Sequence, residues 1–322
     1  MGLLEVDRLS VGIGRLTLLE EIAFEVDRGE ILGLVGESGS GKSLTALAIA
    51  GLLPLIGARV TAGAIRFDNT DLTRLDESRL RKFRGRRIAF ITQNPMTALD
   101  PLQPIGEQVD VVARLHLGLT ADVARSRTIE ILTQLRIPEA ATIYRQYPHQ
   151  LSGGMKQRVV IAMALAGEPD LIVADEPTTA LDVTVQAQII HLLTSLVRER
   201  GLALVLITHD MGVVAQCCDR VAVLYAGRLA EQQGVNALFA TPAHPYTHAL
   251  IDCIPKDGMA RDSLTGIAGS VPSVAHFPPG CRFHPRCIGR QSVCETNVPG
   301  ATALPGGVVS CHFPLNGDQR HG

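Results

Sequence analysis

The sequence lacks any apolar run long enough to cross a membrane. Its longest runs, such as 202–207, have the length of a buried strand, whereas a spanning helix needs about 18 apolar residues. Residues 1–5 also lack the basic segment of a signal peptide. We therefore expect a protein of the cytoplasm that, if it works at a membrane, docks onto other chains that span it.

The sequence also has almost no net charge. Its 30 basic and 32 acidic residues give a formal charge of −2, and the pI is near 6.6. A protein without a positive field is not drawn as a whole to nucleic acid or anionic lipid. We therefore expect no nucleic-acid partner, and we interpret the basic stretch 79–87 as a solvent-facing surface before a core strand.

The apolar residues that are present occur in short runs typical of core strands. Such runs lie at 30–35, 171–174, 203–207 and 221–224, separated by helical or turn-forming segments. This order predicts an α/β fold, with a largely parallel sheet covered by helices. The pattern predicts a domain over 1–240, with a helical subdomain at about 94–167, and a proline-rich, loop-rich extension over 241–322.

A glycine-rich loop between a predicted strand and helix is a candidate phosphate site. Residues 36–43, GESGSGKS, fit the spacing G-x-x-x-x-G-K-[ST]. Backbone N–H groups of such a loop surround phosphate oxygens, with Lys42 reaching the β- and γ-phosphates and Ser43 holding Mg²⁺. The predicted cofactors are therefore ATP and Mg²⁺, the alternative being a chance glycine loop at a helix start. The predicted binding residues are Gly36, Ser38, Gly39, Ser40, Gly41, Lys42 and Ser43.

Two carboxylates follow the apolar run 171–174. Asp175, at the end of the strand, is expected to bind Mg²⁺, and Glu176 to deprotonate the attacking water. Acidic residues at this position often cap the next helix instead. The phosphate loop elsewhere in the chain favours the catalytic interpretation.

A third motif distinguishes one family among the proteins that share such a phosphate loop. Residues 151–155, LSGGM, lie about twenty residues before Glu176 and resemble the signature of the ABC ATPases. The resemblance implies a head-to-tail dimer in which Ser152, Gly153 and Gly154 of one subunit close on the γ-phosphate held by the other. Without the neighbouring motifs, the same residues are an ordinary helix start.

The remaining members of the family pattern occur in order. Gln93 resembles the glutamine that touches Mg²⁺ and the lytic water, and His209 resembles the histidine that contacts the γ-phosphate. The segment 180–182, Ala-Leu-Asp, resembles the loop that meets the opposite subunit through Asp182. Ile13 stands where the family commonly has an aromatic residue on adenine, so the stacking contribution is missing.

Further segments resemble subunits of dipeptide and oligopeptide importers. These are 94–99, NPMTAL, then 153–158, GGMKQR, and 241–247, TPAHPYT. The resemblance implies a second, non-identical ATPase subunit, two transmembrane permease subunits and an external peptide-binding protein, with this chain at the cytoplasmic face of the inner membrane. Because substrate choice lies in those other chains, peptide specificity is inherited by analogy.

Four of the seven cysteines lie in the extension, at Cys281, Cys287, Cys294 and Cys311. In a reducing compartment, thiolates at these spacings suggest zinc or an iron–sulfur centre rather than disulfides. Zinc sites generally use closer pairs. The peptide-importer resemblance implies a [4Fe–4S] cluster with a structural role, whereas Cys217, Cys218 and Cys253 are expected to be ordinary buried thiols.

Three alternative functions remain open from the sequence. The chain could energise an importer of another small solute, such as nickel or glutathione. It could be a soluble ABC ATPase acting on DNA or ribosomes, although it has neither a second cassette nor a long coiled coil. A metal-binding regulator that only senses nucleotide is disfavoured by Glu176 and His209, which indicate turnover.

Overall fold

The computed structural model describes residues 2–178, 181–254 and 266–315. Within these ranges, no helix combines the length and apolar character needed to cross a bilayer. The strands are β1 Leu4–Ile13, β2 Leu16–Val26, β3 Ile31–Val35, β4 Arg59–Phe67, β5 Thr70–Asp71, β6 Ile88–Ile91, β7 Leu171–Asp175, β8 Ala203–Ile207, β9 Arg220–Tyr225, β10 Arg228–Gly234, β11 Thr302–Leu304 and β12 Gly307–Val309.

Helices connect most of these strands. The α-helices are α1 Lys42–Ile49, α2 Glu77–Leu80, α3 Pro95–Ala98, α4 Ile105–Leu117, α5 Ala121–Gln134, α6 Ala140–Ile143, α7 Gly153–Ala166, α8 Val183–Arg200, α9 Met211–Cys217, α10 Val235–Ala240, α11 Pro245–Asp252 and α12 Ser292–Thr296. Short 3-10 turns lie at Leu53–Ile56, Leu72–Arg74, Pro148–Gln150, Val274–His276 and His284–Arg286. The α/β fold predicted from the sequence is confirmed.

The chain forms two compact units. The first contains the described parts of 1–26, 31–73 and 208–322, and the second contains 27–30 and the described parts of 74–207. The described part of the extension beyond residue 241 thus groups with the N-terminal strands and the phosphate loop, not with helices α2 to α8.

The first unit contains an antiparallel sheet in the order β2-β1-β4-β5 and a second group of strands in the order β11-β12-β10-β9-β3. The apolar side chains of β1 are buried in alternation at Leu4 and Val6, and a register shift between Val6 and Leu9 then interrupts the period of two. Strands β3 and β9 are parallel. Both are almost entirely buried, which explains their uninterrupted apolar character.

The segment 241–247 is attached to β10 by a buried carboxylate. Glu231 has no exposed surface, and its oxygens accept hydrogen bonds from the backbone N–H groups of Ala243 and His244, both at 2.8 Å. Burial lowers the pKa of His244 to about 4, so its ring is neutral and its Nδ1 accepts from the N–H of Tyr246 at 3.0 Å. This cap begins α11 and orients Tyr246.

The second unit contains the parallel strands β8-β7-β6 and the helices α2 to α8. Helices α4, α5 and α7 pack on one another. Asp110 of α4 is buried and accepts hydrogen bonds from the hydroxyl groups of Thr128 on α5 and Tyr144. A buried carboxylate that is fully hydrogen-bonded in this way holds the helices in one arrangement.

The basic stretch 79–87 is only partly the solvent-facing surface that its charge predicts. Arg79, Arg81 and Lys82 are exposed. Arg84 is half-buried and pairs with Glu77 at 2.7 Å, and two further arginines bond backbone or carboxylate oxygens of the same unit. The second half of the stretch is therefore structural.

Candidate functional site

The phosphate loop lies between β3 and α1, and its shape requires glycine at two points. Gly36 has φ of +148°, and a Cβ there would lie 2.2 Å from the carbonyl oxygen of Leu224. Gly41 has φ of +105°, and a Cβ there would lie 2.5 Å from Cδ2 of Leu19. A larger residue at either position would displace the backbone or the core. The loop therefore has the close-packed glycine turns of a phosphate cradle.

Lys42 begins α1 with its side chain buried inside this loop. Its Nζ donates to the carbonyl oxygens of Gly36 at 2.8 Å and Glu37 at 3.0 Å. Ser40 is fully buried, and its hydroxyl has no hydrogen-bond partner in the described part of the chain. These donors, with the positive end of α1, form a site chemically suited to phosphate oxygens. Ser38, Gly39 and Ser43 are exposed at the rim of the loop.

His209 follows β8 and lies beside the strand that leads into the loop. The N–H of Thr208 donates to the carbonyl oxygen of Leu34 at 3.4 Å. Asp210 caps α9 by accepting from the N–H groups of Gly212 at 2.8 Å and Val213 at 3.2 Å. His209 itself is exposed between these two anchored residues. The fold thus presents the imidazole at the carboxyl end of the strands, where the phosphate loop also begins.

Ile13 lies at the end of β1, opposite Leu16 in the hairpin that leads to β2. Its side chain is 37 % exposed, and that of Leu16 is 47 % exposed. The same strand β2 carries Leu19 to the phosphate loop, as the contact with Gly41 shows. Ile13 therefore belongs to the same unit as the cradle and offers an open apolar surface.

The predicted catalytic carboxylates lie at the end of β7 in the second unit. Asp175 is buried, and Glu176 follows it with φ of +44°. The N–H of Glu176 donates to the carbonyl oxygen of Ile207 at 3.0 Å. Gln93, just after β6, donates from Nε2 to a carboxylate oxygen of Glu176 at 3.0 Å. A non-glycine residue held in the left-handed region is strained, and such strain often marks a functional site.

The signature residues begin α7 in the same unit. Ser152 is exposed, and its hydroxyl caps the helix by accepting from the N–H of Met155 at 3.3 Å. Gly154 lies so close to Val185 that a Cβ would be 2.9 Å from its side chain. Asp182 caps α8 by accepting from the N–H of Val185 at 3.0 Å. The predicted dimer loop and the signature are therefore neighbours, although Ala180 lies outside the described residues.

The structure thus brings the predicted residues together in two sets. The first unit holds Ile13, the phosphate loop and His209. The second holds Gln93, Asp175, Glu176, the signature and Asp182. Sequence reasoning missed Glu37, whose carboxylate is bound by Arg286 and whose N–H donates to the hydroxyl of Tyr246. The only available signal was that Tyr246 and Arg286 lie in the two distinctive segments 241–247 and 280–287.

The four cysteines of the extension share one electrostatic neighbourhood. Burial raises the pKa of the Cys281 and Cys287 thiols and raises that of Cys311 to about 11, and the nearby cysteines contribute in the same direction. The N–H of Cys281 also donates to the carbonyl oxygen of Cys294 at 2.9 Å. The raised pKa values keep the thiols of Cys281, Cys287 and Cys311 protonated at neutral pH.

The described residues nevertheless contain no group of three or more His, Cys, Asp or Glu side chains arranged to hold a metal ion. The donor chemistry of the four thiols nevertheless suits a soft metal centre. Of the remaining cysteines, Cys218 is buried, whereas Cys217 and Cys253 are half-buried.

Two family models match the chain. Residues 19–179 match the ABC transporter model, and residues 230–294 match the C-terminal region of oligopeptide and dipeptide transporters. The first match includes the phosphate loop, the signature and both carboxylates. The second includes the segment 241–247 and three of the four extension cysteines.

Similar proteins extend these matches over nearly the whole chain. The dipeptide transport ATP-binding protein DppD of Escherichia coli is 44 % identical over 325 residues, covering 99 % of both chains. The oligopeptide transport ATP-binding protein AppD of Bacillus subtilis is 44 % identical over 314 residues, covering 96 % of both.

Solved structures agree with these relatives. The ATP-binding cassette MJ0796, in a dimeric post-hydrolysis state bound to ADP and Pi, is similar with a TM-score of 0.64 at 30 % identity, covering 72 % of this chain and 98 % of that one. The protein cbiO1 from Clostridium perfringens, part of the ABC transporter complex cbiONQ, is similar with a TM-score of 0.63 at 29 % identity, covering 74 % of this chain and 91 % of that one. The phosphate loop, the carboxylates, the signature and the C-terminal region therefore place the chain in one group: it belongs to the family of ABC transporter ATP-binding subunits of dipeptide and oligopeptide importers.

Proposed function

We propose that this ATPase powers the import of dipeptides or oligopeptides across the cytoplasmic membrane. The observation that carries the proposal is that one chain contains both the ABC transporter match, with the phosphate loop, the signature and the two carboxylates, and the C-terminal region of oligopeptide and dipeptide transporters. In this proposal, residues 1–240 form the nucleotide-binding domain, with its helical subdomain at about 94–167. Residues 241–322 form the extension.

In the proposed hydrolysis, different residues bind the nucleotide, hold the metal ion and accept the proton. The phosphate loop binds the triphosphate, and Lys42 exchanges its carbonyl partners for phosphate oxygens. Ser43, Gln93 and Asp175 would hold Mg²⁺, which would neutralise phosphate charge. Glu176 accepts a proton from the attacking water, and its bond to Gln93 orients the carboxylate. His209 contacts the γ-phosphate.

The proposed assembly contains other chains. A second, non-identical ATPase subunit completes the site, because Ser152, Gly153 and Gly154 of one subunit close on the nucleotide of the other. Asp182 lies at this contact. Two transmembrane permease subunits carry the pair at the cytoplasmic face of the inner membrane, and an external binding protein delivers the peptide. The dimeric state of the similar cassette MJ0796 supports the pairing of ATPase subunits.

Co-expression with the membrane subunits tests the proposed transport function. We expect the full chain to copurify with two permease subunits and a second ATPase, and we expect a dipeptide-loaded binding protein to stimulate hydrolysis by the reconstituted complex. A glutathione-loaded or nickel-loaded binding protein serves as the comparison. Stimulation by one of these alone would assign the transporter to another solute, and recovery of DNA or ribosomes instead would overturn the transport function.

We also propose that Cys281, Cys287, Cys294 and Cys311 ligate a [4Fe–4S] cluster with a structural role. Support comes from four soft donors in one neighbourhood of a loop-rich segment. A metal centre there would supply the cross-link that the small extension lacks, because a segment of about 80 residues buries little apolar core. Zinc remains the alternative occupant.

Anaerobic purification is expected to give brown protein with about four irons per chain. Cys287→Ser should remove most of the iron and the visible absorption, and it should increase proteolysis after Thr241. Cys253→Ser is the matched control, because Cys253 is half-buried and lies outside the group. Stoichiometric zinc without visible absorption would contradict the iron–sulfur assignment.

A further proposal is that Ile13 covers the adenine ring without stacking on it. Ile13→Tyr should tighten ATP binding by up to about tenfold, because an aromatic pair adds roughly 0.5–1.5 kcal/mol beyond its buried area. Titration of ATP and GTP under conditions that block hydrolysis measures this change. An unchanged ATP affinity would show that another residue faces the base.

A further inference from the structure

Arg286 joins the cysteine segment to the phosphate loop within the first unit. It ends the 3-10 turn His284–Arg286, directly before Cys287, and its side chain is only 5 % exposed. Its guanidinium forms a two-pronged ion pair with Glu37: Nη1 lies 2.8 Å from Oε1, and Nη2 lies 3.0 Å from Oε2. Such planar pairing is strong and sets a defined orientation.

All five N–H donors of Arg286 have acceptors. Besides the two bonds to Glu37, Nε donates to the carbonyl oxygen of Ala268 at 2.8 Å, and Nη2 donates to that of Ile267 at 3.2 Å. The last donor, on Nη1, reaches the hydroxyl oxygen of Tyr225 at 3.3 Å. The bonds to the extension and to β9 therefore hold the guanidinium in place independently of its bonds to Glu37.

Glu37 is in turn held at three points. Its carboxylate binds Arg286, its N–H donates to the hydroxyl of Tyr246 at 2.8 Å, and its carbonyl oxygen accepts from Nζ of Lys42 at 3.0 Å. Arg286 of the extension and Lys42 of the phosphate site thus both donate hydrogen bonds to Glu37. The conformation of Glu37 links the two.

Aromatic side chains surround the ion pair of Arg286 and Glu37 and strengthen its electrostatic interactions. Three rings pack together beside it, with centroid distances of 4.6 Å between Tyr225 and Tyr246, 5.1 Å between Tyr225 and Phe283, and 5.2 Å between Tyr246 and Phe283. Apolar rings reduce solvent screening, so an unpaired carboxylate here would act more strongly on a nearby phosphate group than one in water. Because the loop receives a negatively charged triphosphate, the carboxylate of Glu37 needs a neighbouring cation that neutralises its charge.

We infer that Arg286 is a positioning residue of the ATP site, which neutralises and orients Glu37 so that the phosphate loop can receive the triphosphate. The inference rests on ATP binding by this chain and is independent of peptide transport and of the iron–sulfur cluster. It gives the C-terminal extension a direct role in nucleotide affinity.

The test is ATP binding by the full chain, carried out for Arg286→Gln, Glu37→Gln and the double variant. Arg286→Gln should raise the Kd for ATP about tenfold, because it leaves the Glu37 carboxylate unpaired beside the triphosphate. Glu37→Gln removes the negative charge and keeps an amide oxygen that can accept a hydrogen bond from Arg286, so it is the second single variant that the comparison with the double variant requires. The double variant should return to within about threefold of the wild type.

This rescue distinguishes positioning from a purely structural role. If Arg286 served only to hold the carbonyl groups of Ile267 and Ala268, removing the Glu37 charge would restore nothing, and the double variant would bind ATP as weakly as Arg286→Gln. That outcome would overturn the inference, as would an unchanged Kd in Arg286→Gln.

Two further variants complete the test. Arg286→Lys keeps the charge but not the two-pronged geometry, so its Kd should lie between those of the wild type and Arg286→Gln. Arg290→Gln is the matched control, because Arg290 carries the same charge in the same segment with an exposed side chain. It should bind ATP like the wild type, and an equal loss in this control would mean that the net charge of the segment, not the contact with Glu37, sets the affinity.

Discussion

Replacement of Glu176 by glutamine is expected to lower steady-state ATP hydrolysis by about 10²–10⁴-fold while ATP remains bound. Glutamine keeps the shape of the side chain and retains an oxygen that can accept the hydrogen bond from Gln93, but it cannot take a proton from water. Because the phosphate loop lies in the other unit and is unchanged, binding should persist. The measurement combines phosphate release with retention of labelled ATP in the assembled transporter.

Lys42→Ala provides the contrast. This variant removes the buried ammonium group that lies within the loop, so it should lose ATP binding itself, and hydrolysis should fall as a consequence. The two variants therefore separate chemistry from affinity. Turnover close to that of the wild type in Glu176→Gln would show that another group accepts the proton.

In the proposed complex with a second ATPase subunit, Ser152→Arg is expected to lower hydrolysis strongly at one of the two ATP sites. Ser152 is exposed at the start of α7, where a bulky side chain would block approach of the other subunit's nucleotide. Loss of preorganised donors to a transition-state charge typically costs about 10²–10³-fold in rate. Because the proposal pairs this signature with the partner's phosphate loop, the damaged site should be the one in which the partner holds ATP.

Photolabelling with azido-ATP under turnover conditions identifies the affected site. In Ser152→Arg, hydrolysis-dependent trapping should disappear from the partner subunit and persist on this chain, whereas Lys42→Ala should give the reverse pattern. Ser126→Arg is the matched control, because Ser126 is an exposed serine elsewhere in the same unit. Loss of trapping from this chain in Ser152→Arg, or full activity of an isolated monomer, would contradict the shared site.

The chemistry of the site was predictable wherever it depends on short segments. The phosphate loop needs a strand, two close-packed glycine turns and a helix start, and all of these lie within a dozen residues. Gly36 and Gly41 are required because their missing Cβ atoms avoid Leu224 and Leu19. The same locality applies to Ser152, which caps the helix that it precedes.

Contacts between distant segments were not predictable from spacing. The pair Arg286–Glu37 joins residues 249 positions apart, and neither residue is distinctive by itself. The environment of the half-buried Arg84, Arg86 and Arg87 was also not predictable. Their charge predicts solvent exposure, whereas the residues that they bind are separated from them in the sequence.

The sequence by itself determined the family and the α/β fold, and it predicted the residues of ATP hydrolysis, because motif spacing and strand–helix order are local properties of the chain. Only the tertiary structure decided that the extension packs with the phosphate loop, since this depends on the buried Glu231, the aromatic group around Tyr246 and the ion pair of Arg286. The physical reason is that a buried charge must find a partner, and the partner is chosen by the fold and not by proximity in sequence.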